Sequence, residues 1–178
     1  IAAVIDGLSN EERSGKLMVY NESGEQLVSH FFNSNVGGCT VSGDGDYVAV
    51  STLSPDCSTY IFEVEYGDLV LEHENVRGNK MGLEFDEKDG GYWLYLADSE
   101  DGNAYYAVDL EGELVWKSEE LQREERLEEL MESSETEDLE EAIELLDEAY
   151  ELAEDSNETK NVARKLADAH WKLAKEIK

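Results

Sequence analysis

Asp101-Gly102-Asn103-Ala104-Tyr105-Tyr106-Ala107-Val108-Asp109-Leu110-Glu111-Gly112-Glu113-Leu114-Val115-Trp116 decides how this chain folds. It holds a short apolar strand, a turn with glycine and a second apolar strand. Tyr, Val and Trp suit a pleated, half-buried surface, and glycine supplies the turn backbone. The pattern occurs twice more upstream. One copy runs from Leu17-Met18-Val19-Tyr20 through Asn21-Glu22-Ser23-Gly24 to Leu27-Val28. The other runs from Tyr60-Ile61-Phe62-Glu63 through Tyr66-Gly67 to Leu69-Val70-Leu71. The turn glycines Gly24, Gly67 and Gly112 stand 43 and then 45 residues apart.

Short strands repeating every 40 to 50 residues or so are the mark of a β-propeller blade. Between the copies lie further hairpins. Cys39-Thr40-Val41-Ser42 and Tyr47 to Thr52 flank an Asp-Gly turn, a strong hairpin signal. Gly82 to Phe85 and Tyr92 to Ala97 flank Asp89-Gly90-Gly91. Counted from a first strand at Ile1 to Ile5, residues 1–117 make about two and two-thirds blades of four-stranded antiparallel sheet. A ring usually needs about four blades or more. The chain also opens inside a strand-like run and without Met. Residues 1–117 are therefore expected to be the C-terminal part of a longer propeller. Closure by oligomerisation and an open, capped stack are the alternatives. In the second copy the apolar period implies one additional residue before Gly67, as a bulge or a longer turn.

After Trp116 the apolar period changes from two to 3.6, and residues 118–178 read as an acidic helical tail. A first helix spans Ser118 to about Ser133, with Leu121, Leu127, Leu130 and Met131 on one side. Ser134 to Glu137 reads as a cap for a second helix. That helix carries Leu139, Ala142, Ile143, Leu146, Ala149, Tyr150 and Ala153 at steps of three and four. Asp155-Ser156-Asn157 breaks it. A third helix carries Val162, Leu166, Ala169, His170, Leu173 and Ile177 on one face and Ala163, Ala167, Trp171 and Ala174 on another. Residues 119–155 hold 18 acidic and 2 basic side chains, whereas residues 156–178 hold 6 basic and 3 acidic ones. An antiparallel pairing of the last two helices would bring Lys165, Lys172 and Lys175 near glutamates.

The net charge of −30 is spread over the whole chain, −17 in residues 1–118 and −13 in residues 119–178. Such a chain repels itself at low salt and is screened in molar salt, where the Debye length falls to about 3 Å. The composition therefore looks like that of a protein from a salt-adapted, halophilic organism such as a haloarchaeon, needing monovalent salt for stability. The same field disfavours nucleic acid and anionic membranes, and no Lys/Arg cluster offsets it. There is no apolar run of about 18 residues and no signal peptide, which points to the cytoplasm.

The run Asp101-Gly102-Asn103, Tyr105-Tyr106-Ala107-Val108-Asp109, Gly112-Glu113-Leu114-Val115-Trp116 resembles the PQQ-like (quinoprotein-type) propeller repeat. The other copies, with Val28 and Leu71 in place of Trp116, look as much like a WD40-like blade. The resemblance implies scaffold and assembly proteins as well as quinone-dependent dehydrogenases. The dehydrogenases use a full ring of blades around a central cofactor, so no cofactor residue carries over. It also implies that Trp116 packs between adjacent blades. The tail is similar to a tetratricopeptide (TPR-like) helix pair in its Ala, Tyr and Leu spacing, without that repeat's signature.

No catalytic, cofactor or metal signature emerges. Asp44-Gly45-Asp46 and Asp98 to Asn103 read as solvated turn acids, since the EF-hand register and its distal Glu are missing. His30 and His73 each stand six residues past a turn glycine, on strands that adjacent blades could place side by side. Cys39 and Cys57 flank one hairpin and could lie at the same end of it, as two thiols or as a disulfide. Gly24, Gly67, Gly112 and Trp116 are read as structural, and Tyr150, His170 and Trp171 as a candidate partner face. The leading expectation is a non-enzymatic protein-interaction scaffold, its blades binding a protein partner or a second copy and its helices capping or assembling. The alternatives are a fragment of a PQQ-dependent quinoprotein enzyme and a small-ligand-binding sensor.

Overall fold

Tyr47 to Thr52 and Ser58 to Glu63 are buried along almost their whole length. Strands that hide both faces must lie in a sheet covered on both sides. They take that place in the computed structural model, which describes residues 1–6, 14–76, 78, 80–98, 103–136 and 138–176. The chain divides into two compact units, Ile1–Ser118 and Glu119–Lys178.

Among the described residues, the first unit has eleven strands in three antiparallel sheets. The first is β1 (Ala2–Asp6), β2 (Gly15–Tyr20) and β3 (Gln26–Phe32). The second is β4 (Val36–Val41), β5 (Tyr47–Thr52), β6 (Ser58–Glu63) and β7 (Leu69–Glu74). The third is β8 (Lys80–Lys88), β9 (Gly91–Asp98), β10 (Ala104–Val108) and β11 (Leu114–Lys117). Each sheet is a meander in chain order. The turn glycines align β2 with β6 and β10, so β1 corresponds to β5 and β9. The sheets pack through β1 beside β4, and β4 and β5 beside β8. Among the described residues, the first sheet thus has no counterpart of β4 and β8. This is a partial, unclosed β-propeller followed by helices, with blades of three, four and four strands, close to the two and two-thirds expected.

Leu17, Val19, Val28 and Phe32 of the first sheet meet Val48, Val50, Tyr60 and Phe62 of the second in one apolar cluster. Gly15 shows how closely the sheets approach: a Cβ there would lie 2.4 Å from Val36 Cγ2. Buried polar groups at one end of the second sheet satisfy one another. Thr59 Oγ1 donates to Asn75 Oδ1 at 2.7 Å, and the Asn75 backbone N–H donates to the Cys57 carbonyl at 2.9 Å.

The three aligned turns are built alike. Gly24, Gly67 and Gly112 have φ of +81°, +72° and +85°, where a side chain is strained. Asn21 Oδ1 accepts from the backbone N–H of Ser23 and Glu25, and Asp109 Oδ1 accepts from those of Glu111 and Glu113. Val64 offers no such oxygen. Its N–H donates to Asp46 instead, and the second turn closes one residue earlier, from Glu63 N–H to the Asp68 carbonyl. That wider closure accounts for the irregularity expected before Gly67. The following strand of each copy also carries a bulge, at Leu27, Val70 and Val115.

The second unit holds α1 (Glu119–Ser133), α2 (Leu139–Leu152) and α3 (Ser156–Glu176). Leu127 and Leu130 of α1, Leu146 and Ala149 of α2, and Val162 and Ala169 of α3 form its core. The cap of α2 differs from the expectation. Asp138 is the N-cap and accepts from Glu140 and Glu141 N–H, while the Ser134 hydroxyl turns back to the Met131 carbonyl. Asp and Ser are comparable caps, and Asp138 sits nearer the first periodic residue. Glu137 lies outside the described residues. Asp155 caps α3 through Asn157 and Glu158 N–H.

Candidate functional site

Alternation along β3 directs His30 and Phe32 to the side of the second sheet and Phe31 to the opposite face. His30 stands 4.7 Å from Phe32, 4.9 Å from Phe62 and 6.5 Å from Tyr60, and Phe32 stands 5.0 Å from Tyr60, between ring centroids. The His30, Phe32 and Tyr60 rings, with Phe31, border a cavity of about 360 Å³ whose other wall is the β5–β6 loop with Pro55 and Asp56. That loop is held by Asp56 and Cys57 N–H donating to the Leu53 carbonyl, each at 3.2 Å. Asp56 Oδ2 accepts from Thr52 Oγ1 at 2.7 Å and from the Tyr60 hydroxyl at 2.9 Å. The Tyr60 hydroxyl also reaches Glu72 at 3.3 Å. Burial and the two carboxylates push the Tyr60 phenol well above its usual range.

In the helical unit, Leu139, Ala142, Leu146 and Ala169 line a groove of about 410 Å³, rimmed by Lys165 and Lys172. Lys165 donates to the Met131 carbonyl and to Glu135, at 3.3 and 3.1 Å. Lys172 pairs with Asp168 of its own helix at 2.9 Å, and Lys175 lies over the Trp171 ring. Pairing of the last two helices is expected to bring these lysines to glutamates of α2; Lys165 instead meets Glu135 in the α1–α2 connection, and Lys172 meets Asp168 of α3 itself.

Tyr150 and Trp171 are exposed, at 44 % and 58 %, and His170 is exposed beside Trp171. Gly24, Gly67 and Gly112 are the turn residues described above. Trp116 is partly exposed on β11, its ring 5.6 Å from Tyr95 of the same sheet. His30 and His73 are not brought together: His30 packs on the second sheet, and His73 lies 5.7 Å from Tyr106 of the third. Burial pulls the His73 imidazole below its usual pKa. Cys39 and Cys57 are not joined by a disulfide. The Asp44 carboxylate is engaged by the Tyr92 and Ser42 hydroxyls and by Asp46 N–H, which lower its pKa to about 2. Part of the second acidic turn, residues 99–102, lies outside the described residues. Among the described residues, no three of His, Cys, Asp and Glu converge as a metal site, and no helix is long and apolar enough to cross a membrane.

The cavity at His30, Phe32 and Tyr60 escapes sequence reading. Its walls lie about 25 residues apart and join only because two blades pack face to face. The one available signal is the aligned position of His30 and His73 after their turns.

No protein-family model and no curated protein matches the chain. Among solved structures, it is similar to the C-terminal WD40 domain of Sif2, with 15 % identity and a TM-score of 0.45 over 66 % of this chain and 33 % of that one. It is also similar to Hsv2p of Kluyveromyces lactis, with 13 % identity and a TM-score of 0.39 over 61 % and 34 % of the two chains. For Hsv2 of Kluyveromyces marxianus the identity is 10 % and the TM-score 0.40, over 61 % and 34 %. The chain spans about one third of the length of each. Strand order and sheet packing, rather than these likenesses, make the first unit a partial β-propeller.

Proposed function

We propose that this chain is a non-enzymatic protein-interaction scaffold of a salt-adapted organism, acting in the cytoplasm. Its blades present surface to a partner, and its acidic helical unit assembles or caps. The observation that carries this reading is the set of large aromatic side chains held at the surface of both units. Phe31 is 72 % exposed, Tyr66 67 % and Trp171 58 %. At interfaces Trp and Tyr side chains supply much of the binding energy. The Trp171 ring is additionally topped by Lys175, which gives it a charged rim.

The test is photo-crosslinking from positions 31 and 171 in cells, followed by reconstitution of each crosslinked partner with purified chain. Phe31→Ser or Trp171→Ser should weaken binding by tenfold or more while circular dichroism stays unchanged, since the loss of an aromatic anchor costs about 2 kcal/mol or more. Partners that bind both variants as tightly as the parent chain would overturn the reading. So would stoichiometric capture of a quinone by the purified chain, which would restore the quinoprotein alternative.

A further inference from the structure

The cavity between β3 and the β5–β6 loop combines three features that select one ligand chemistry. Its floor is aromatic: the His30, Phe32 and Tyr60 rings pack together, and Phe32 and Tyr60 are nearly buried. Its wall carries the Asp56 carboxylate, fixed through Oδ2 by the Thr52 and Tyr60 hydroxyls. Among the described residues, no lysine or arginine lines it. Phe31 also borders it, and the Lys16 ammonium of β2 lies 4.7 Å from the centroid of that ring.

An anion would meet Asp56 and a chain of net charge −30. A neutral apolar molecule would cover the carboxylate without supplying a counter-charge, which is costly. A hard metal ion needs six or more oxygen ligands, and no such convergence exists among the described residues. A large, weakly hydrated organic cation satisfies both parts of the site. Its methyl groups lie against ring faces while its charge faces Asp56.

We infer that this cavity binds an alkylammonium group, quaternary in preference to primary. A volume of about 360 Å³ holds one such group, whether a free quaternary ammonium solute or the methylated lysine of a peptide. The cavity shares Phe31 with the partner surface proposed above, but the inference does not rest on that reading, because a free solute is titrated with no partner present.

Tetramethylammonium chloride is titrated into the full chain against KCl at constant ionic strength, with backbone amides followed by NMR. Saturable shifts centred on His30, Phe32 and Tyr60 that KCl does not reproduce are the expected result. Asp56→Asn should weaken binding by roughly tenfold or more, the worth of a charge-assisted contact. His30→Ala should weaken it severalfold through the lost ring. Choline and a trimethyllysine peptide then separate the two sources, the tighter ligand identifying which one the site takes. Absence of saturation, equal shifts with KCl, or shifts confined to other residues of the parent chain would overturn the inference, and none of these depends on a variant folding.

Discussion

Arg123 ties the three helices together, and its removal should cost far more than that of its neighbour Arg126. The Arg123 side chain is 18 % exposed. Its Nη1 donates to the Leu152 carbonyl at the end of α2 and to Glu158 in the first turn of α3, each at 3.1 Å. Burial alone would raise the Glu158 carboxyl, yet Glu154 N–H, Arg123 and Asp155 N–H together hold it below its usual range. Hydrogen bonds to charged groups are worth about 1.5–3 kcal/mol each. Glu158 keeps its two backbone donors when Arg123 is lost, so Arg123→Ala should cost about 2 kcal/mol rather than the full sum. For a unit of this size that corresponds to a fall of roughly 10 °C in midpoint. Arg126 bonds Glu129 and Glu148 just as closely, but 45 % of its side chain is exposed, and its pairs are screened by salt. Thermal unfolding followed by helical circular dichroism compares the two variants at low and molar KCl. Arg123→Ala should remain the more damaging at both. Its effect should shrink as pH falls below the usual glutamate range, because a carboxylate with a depressed folded pKa loses its stabilising share there. Equal effects of the two substitutions would refute the reasoning.

Three further outcomes are expected. Gly24→Ala, Gly67→Ala and Gly112→Ala should each destabilise the strand unit by about 1 kcal/mol in denaturant unfolding, since all three residues hold positive φ. A neutral Gly24→Ala, at a site with open space around it, would contradict that account. Asp44→Asn should lower stability near neutral pH and lose its effect as pH falls from about 4 toward 2, because the Asp44 carboxyl is lowered to about 2 by Tyr92, Asp46 N–H and Ser42. Unfolding midpoints at pH 6 and pH 2.5 measure the difference. With 44 acidic against 14 basic residues, stability should climb steeply with KCl toward molar concentrations. A flat or falling curve would remove the salt-adaptation reading.

Local features were legible from residue order. Asn21-Glu22-Ser23-Gly24 and Asp109-Leu110-Glu111-Gly112 announce turns because an Asx oxygen and a left-handed glycine are short-range devices. The strand periods and the α2 and α3 faces follow for the same reason. Boundaries drifted where propensity and pairing disagree. The strand read from Cys39 in fact begins at Val36, because pairing with β5 overrides the weak strand preference of Gly37 and Gly38. β8 likewise runs through Asp86-Glu87-Lys88, polar residues carried into the strand by its partner β9. His170 shares the apolar stripe of α3 in sequence but stands exposed, since Val162 and Ala169 already fill the contact with α2. The aromatic cavity was illegible because it is made by contact between blades, and no periodicity records which strand faces which.

Amide hydrogen exchange, resolved residue by residue, tests the stacked-blade arrangement most directly. β5 and β6 are enclosed by sheets on both sides and should be the slowest-exchanging segments of residues 1–118. The edge strands β1 and β11 should exchange faster by orders of magnitude, through local opening. Equal protection of β5, β6 and the edge strands, or faster exchange in β5 and β6, would contradict the partial propeller.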